Sequence, residues 1–260
     1  MSDAPRPEEV RISRIFPTTR SLRGYFSQRP DFLTNLFLVM PLFVIYHVGV
    51  IALVERGPDG RYQWVGNGVD FLTGSMLRIA GGDVLAYGVG AMVVTLVLTG
   101  MILWARRRSG VHPRLFIPLL TESAVYSVLI AGSLGYVVDA MGLGGMDSQS
   151  FYAQVVSSCG AGLHEELVFR VGLFHGLSLL LERRVARPWV AWLGVAVATS
   201  ALFSGVHYVG PLGDRFELAS FAFRMFLGMV LAGIYRYRGF AVAAWTHTLY
   251  DVLYFATRRF

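Results

Sequence analysis

The stretch GLHEELVFRVGLFHG places Glu165, Glu166 and Arg170 in a run that otherwise reads as a helix buried in lipid. Insertion scales charge about 2.5–3.5 kcal/mol for each ionised group near the middle of a spanning helix, so three together call for partners or a function. On one helix Glu166 and Arg170 are four apart, share a face and can neutralise each other. Glu165 is turned about 100° away and has Phe169, not a base, at i+4. Glu166 and Arg170 therefore read as a structural pair, with Cys159 on the same face as a small packing residue. Glu165 is the carboxylate left for general-base chemistry. The run HEELV opens like a zinc-protease motif but fails on spacing, because Val168 stands where HExxH needs its second histidine.

Two further segments carry chemistry at membrane depth. FSGVH sets His207 four residues after Phe203, and HTLYD sets His247 and Asp251 at i, i+4 on one helix face. Polar residues on three separate apolar helices are easiest to account for if they converge on one wet cavity. Glu165, His207 and His247 could also ligate zinc as two histidines and a carboxylate. Glu165 would not easily be both sole carboxylate ligand and base, so the expectation is a metal-free mechanism. Arg224 is expected to be a counter-ion for Glu217 or Glu122, with capture of a substrate carboxylate as its second reading. His47, His164 and His175 have no partner in the sequence and receive no role.

EELVFR resembles the EExxxR motif of the CPBP family, the CAAX-protease and bacteriocin-processing intramembrane proteases. FSGVH is similar to its FxxxH motif, and HTLYD to its third, a histidine followed four residues on by Asn or Asp. The three stand in the family's order. The resemblance implies an α-helical membrane bundle that cuts proteins or peptides near the C-terminus with a glutamate-activated water. It assigns Glu165 to activate the water, His207 to hold or deprotonate it, and Glu166, Arg170 and Phe203 to supporting places. His247 and its partner four residues on would bind the developing oxyanion. That partner here is Asp251, and an ionised aspartate cannot donate a hydrogen bond. Two readings stay open: Asp251 is protonated, or, as the i, i+4 geometry favours, it accepts a proton from His247 and orients the ring. Prenylated CAAX tails and, as in the myxosortase branch, sortase-like C-terminal anchors are the substrate classes left open. Two competing readings are a non-catalytic membrane immunity or partner protein and a proton-coupled transporter. The chain lacks the related halves common in transporters.

The elements that must position these residues are set by composition. Of 260 residues, 54% are hydrophobic and 15% charged, against about 45–50% and about 25% in soluble domains. This excess predicts an all-α polytopic transmembrane bundle with the lipid bilayer as its surroundings. The formal charge is +6 and every basic residue is arginine, as in a protein of the bacterial cytoplasmic membrane with a GC-rich genome. The arginines gather at the ends of apolar runs, a positive-inside pattern and not a nucleic-acid stripe. A spanning helix needs about 20 apolar residues. Seven segments qualify: Phe32–Val54, Val84–Ala105, Leu115–Met141, Phe151–Leu181, Pro188–His207, Phe216–Tyr235 and Phe240–Thr257. Val69–Ile79 is expected on the membrane surface. Seven alternating spans leave Arg258 and Arg259 outside, against the rule, so the expected count is seven to eight. Residues 1–30 are expected to form a cytoplasmic tail, partly helical around RISRIF and LRGYF. Residues 31–260 would be the transmembrane protease domain, with its motif-bearing core at 151–257. Counting from the inner arginines puts Glu165 and His207 in the outer half of the bilayer but His247 in the inner half. The side on which a site would open is therefore unassigned at this point.

Overall fold

The computed structural model describes residues 24–26, 29–56, 62–63, 71–107, 113–140, 150–209 and 213–257. Nearly all of the expected tail, the 141–149 loop and Arg258 with Arg259 lie outside the described residues. The helices are α1 (Phe32–Leu53), α2 (Phe71–Ile79), α3 (Val84–Ala105) and α4 (Phe116–Ala140), the last preceded by a 3₁₀ turn at Pro113–Leu115. Then come α5 (Phe151–Glu166), a π-helix (Leu167–His175), α6 (Gly176–Leu181), α7 (Pro188–Val206), α8 (Leu218–Arg238) and α9 (Phe240–Thr257). A hairpin of two-residue strands, β1 (Glu55–Arg56) and β2 (Tyr62–Gln63), follows α1 with Glu55 opposite Gln63. The seven expected spans and the surface stretch thus each become helix. Five helices among the described residues are long and apolar enough to cross a membrane unaided: α1, α3, α4, α7 and α8. The segments carrying the EELVFR and HTLYD motifs are not among them.

Local chemistry sets the helix starts. Asp31 caps α1 by accepting from the Leu33 and Thr34 amides, and Asp83 caps α3 by accepting from Leu85 and Ala86. Each satisfies amides that the first turn leaves without partners. Asp31 also pairs with Arg106, which donates to Thr34 Oγ1 at 3.0 Å and so ties the start of α1 to the end of α3. Partial burial alone would raise the Asp31 pKa. Hydrogen bonds from Arg106 and Thr34 and the Arg106 charge outweigh this and hold it at about 2.

α9 is the hub. It packs against α1, α4, α5 and α8, while α3 touches chiefly α1. Every residue from Phe240 to Thr248 is buried, so α9 begins inside the bundle. Its first amides therefore need protein partners rather than water. Asn35 of α1 supplies one, accepting from the Ala241 amide at 2.8 Å. The turn into α9 is Gly239, at φ +97°, where a Cβ would stand 2.8 Å from Asn35 Oδ1. Conformation and space both require glycine there.

The arginine-bearing ends are fastened by ion pairs. Arg238 Nε meets Glu122 at 2.6 Å, with Tyr25 also donating to Glu122, and Arg236 meets Glu182 at 2.6 Å. This corrects the expected pairing of Arg224. Glu122 belongs to Arg238, and Arg224 pairs with Asp214 at 2.6 Å. The physical reason is placement, since Arg224 lies fourteen residues before Arg238 on α8, about 21 Å away at 1.5 Å per residue.

Candidate active site

The helix holding EELVFR is not a uniform α-helix. α-Helical turns run to Glu166, and Leu167–His175 widens into a π-helix. Such widening is common at functional sites and shifts side chains around the axis relative to an unbroken α-helix. Nothing in the apolar pattern of this stretch signals it. Glu166 and Arg170 nevertheless meet as expected, with Nε 3.1 Å from Oε2 and both side chains buried. The contact is an ion pair without aligned hydrogen bonding: Glu166 Oε2 and Arg170 Nη1 have no hydrogen-bond partner among the described residues. Arg170 is also held by Nη2, which donates to the Gly228 carbonyl at 3.3 Å, and by its guanidinium lying 4.5 Å over the Phe203 ring.

α5 and α9 approach closely through small residues, as helices in lipid commonly do. A Cβ on Gly162 would lie 2.1 Å from Thr248 Oγ1 and 2.6 Å from the Ala244 carbonyl. This contact brings the glutamates one turn later against His247. His247 Nδ1 stands 2.8 Å from Glu166 Oε1. The other ring nitrogen, Nε2, faces Glu165 Oε2 at 3.9 Å. From α7, His207 presents Nε2 to Glu165 Oε1 at 4.0 Å. Its Nδ1 is 2.8 Å from the Phe203 carbonyl. A carbonyl only accepts, so Nδ1 carries the proton and Nε2 of the neutral ring is an acceptor. The Phe203 edge packs against both imidazoles, with centroids at 5.2 and 6.0 Å.

Three segments far apart in sequence thus place Glu165, His207 and His247 around one point. Glu165 and Glu166, adjacent in the chain, are divided as their helix faces require: Glu166 is locked between Arg170 and His247, while Glu165 faces the open space. Asp251 reaches the same ring as an ion-pair partner. Its Oδ2 lies 3.6 Å from His247 Nε2, beyond hydrogen-bond length, and Glu166 holds the ring from the opposite nitrogen. The i, i+4 spacing put Asp251 on the correct face, but only the packing of α5 on α9 could show that a closer carboxylate takes Nδ1.

A cavity of 620 Å³ reaches Glu165, His207, His247 and Asp251, within the usual range of about 300–1,000 Å³ for ligand pockets. Arg224 also lines it, donating to Asp214 and, at 2.9 Å, to the Tyr208 hydroxyl, which in turn donates to Ser220. Sequence reading missed Asp214 and Tyr208, because their positions depend on how the loop after α7 folds back; the Asp214 amide donates to the His207 carbonyl at 2.8 Å. It also missed the 2.5 Å contact of His47 Nδ1 with the Tyr87 hydroxyl, which joins α1 to α3 away from the cavity. His164 Nδ1 lies 3.0 Å from the Gly160 carbonyl, and Cys159 is buried in the core. Among the described residues, no group of three or more His, Cys, Asp or Glu side chains is arranged to hold a metal.

Residues 147–253 match the family described as type II CAAX prenyl endopeptidase, Rce1-like. The matched stretch contains all three motifs and every residue placed around the cavity from α5, α7 and α9 save those at the end of α9. The match covers less than half of the chain and is to CAAX-type endopeptidases in general, without singling out a myxosortase-like branch. Searches of curated proteins and of solved structures return no match.

Proposed function

We propose that this protein is an intramembrane endopeptidase in which Glu165 activates a water molecule against a peptide bond near the C-terminus of a membrane-associated protein or peptide. The observation that carries the reading is the meeting of Glu165 with His207 at 4.0 Å and His247 at 3.9 Å in a cavity lined by both polar and apolar side chains. Both gaps exceed a direct hydrogen bond. They suit a water with arms of about 2.8 Å between Glu165 and the bare Nε2 of His207.

In the proposed step Glu165 takes one proton from this water as its oxygen adds to the scissile carbonyl carbon, and the carbonyl π pair moves onto oxygen. His247 donates from Nε2 to that oxyanion, while Glu166, anchored by Arg170, holds the ring through Nδ1. Asp251 is the second electrostatic partner of the ring. Collapse of the tetrahedral intermediate breaks the C–N bond, and the proton carried by Glu165 passes to the leaving amine. No step calls on a metal. Residues 31–260 form the protease domain with its core at 151–257, and residues 1–30 a cytoplasmic tail. The arginine-only basic set supports a place in the cytoplasmic membrane of a bacterium.

Glu165→Gln should lower cleavage by about 10²–10⁴-fold, the usual contribution of a general base, while leaving the thermal melt of the purified protein unchanged. Undiminished turnover would remove Glu165 from the mechanism. Elemental analysis of active protein should find zinc well below one equivalent; one equivalent per chain, lost together with activity on chelation, would replace the carboxylate step by a metal-bound water.

A further inference from the structure

The 23 arginines of the chain fall into unequal sets. Among the described residues nine belong to one end of the bundle: Arg29, three between Arg106 and Arg114, three between Arg183 and Arg187, and Arg236 with Arg238. The pairs Asp31–Arg106, Glu122–Arg238 and Glu182–Arg236 bind these helix ends. Three described arginines, Arg56, Arg78 and Arg215, fall at the other end and two, Arg170 and Arg224, lie within the spans. Arginine-rich ends face the cytoplasm.

The cavity reaches the opposite end. Its walls include Asp214 and Glu217 of the loop joining α7 to α8, and Tyr254 and Phe255 near the end of α9. His207 caps α7 at that same end. The conflict raised by His247 also disappears. α9 starts with its first turns already buried and its Ala241 amide bound by Asn35, so His247 lies further from the arginine-rich end than nine residues past Arg238 would suggest.

We infer that the cavity opens on the outer face of the membrane and that its substrate is an extracytoplasmic peptide segment adjoining a membrane anchor, not a cytoplasmic lipidated tail. The inference rests on the endopeptidase reading for the word substrate, but its sidedness stands on arginine placement and cavity walls alone. The lining suits such a segment. Charged Asp214, Arg215, Glu217 and Arg224 can meet a hydrated stretch, and Leu227 and Phe255 the apolar start of its anchor.

Two measurements test this. In a Cys159→Ser background, single cysteines are introduced as Val209→Cys, beside the cavity, or Ala186→Cys, in the arginine-rich loop, both at exposed positions. In intact spheroplasts a membrane-impermeant maleimide should label the first, and the second only after lysis. The reverse pattern would overturn the inference. Second, two single-span reporters carry the same randomised juxtamembrane segment, one outside and one inside. The outside reporter should be cut at least tenfold faster, and Glu165→Gln should cut neither. Preferential cutting of the inside reporter would overturn the substrate class while leaving the endopeptidase intact. Cutting of neither, with labelling as expected, would instead sink the endopeptidase reading and the substrate class with it, while sidedness stood.

Discussion

α3 and α9 invert the arrangement familiar from proteins in water. α3 carries no charged residue and no histidine, yet Leu85 is 77% exposed and Leu96 64%. α9 carries His247, Asp251 and three threonines, yet its first nine residues are all buried. In a bilayer the outside accepts leucine without penalty, so a wholly apolar helix gains little by moving inward. Hydrocarbon does not accept an imidazole or a carboxylate, so the helices that carry them must be enclosed by others. Burial in this molecule therefore follows polarity and small size, and the enclosed helices carry the candidate chemistry.

The contrast can be broken most strongly at its most buried pair. Glu166→Ala leaves the Arg170 guanidinium enclosed without its counter-charge, which should cost about 3–5 kcal/mol and appear as a large drop in the detergent melting temperature. The double change Glu166→Ala with Arg170→Met should recover much of that loss. Equal melts for single and double variants would show that the charge pair is not what the enclosed region depends on.

One substitution made in both regions sharpens the difference. Gly162→Ala forces a Cβ against the Thr248 side chain and the Ala244 carbonyl, and overpacking of this kind costs about 1–3 kcal/mol. Cleavage should fall as well, because Glu165 follows one turn later. Gly100→Ala in α3 meets nothing within 4 Å, so it should be neutral or stabilise by up to about 1 kcal/mol. Similar losses at both sites would abolish the distinction between the two helices.

The smallest effect belongs to the tether of α3. The Asp31 carboxyl titrates at about 2 in the folded protein, below its ordinary 3.8. Its contribution is therefore fully present above pH 3.8 and is lost as pH falls towards 2. The side chain is 54% exposed, so the contribution stays below about 1 kcal/mol. Asp31→Asn should remove this acid-limb slope and leave the melting temperature at neutral pH nearly unchanged. A loss comparable with Glu166→Ala would mean that α3 is no mere peripheral helix.

Much of the site was legible because lipid taxes each polar residue on its own account. Glu165, Glu166, Arg170, His207, His247 and Asp251 stood out as exceptions within apolar runs, and i, i+4 spacing paired Glu166 with Arg170 before any packing was considered. Contacts between helices were not legible in the same way. Arg224 was matched to the wrong acids because sequence distance does not report height along the bundle. His247 was matched to Asp251 on its own helix because the closer Glu166 lies 81 positions away.

Local periodicity and the free energy of moving a side chain into hydrocarbon were enough to specify a membrane-embedded helical bundle, its motif residues and the faces they occupy. Which carboxylate holds His247, which acid pairs with Arg224, where the helix widens into a π-helix and towards which end the cavity opens came from helix packing. Those depend on how deep each helix sits, and that depth is set by contacts between helices such as Gly162 on Thr248 and Asn35 on Ala241, which no single segment encodes.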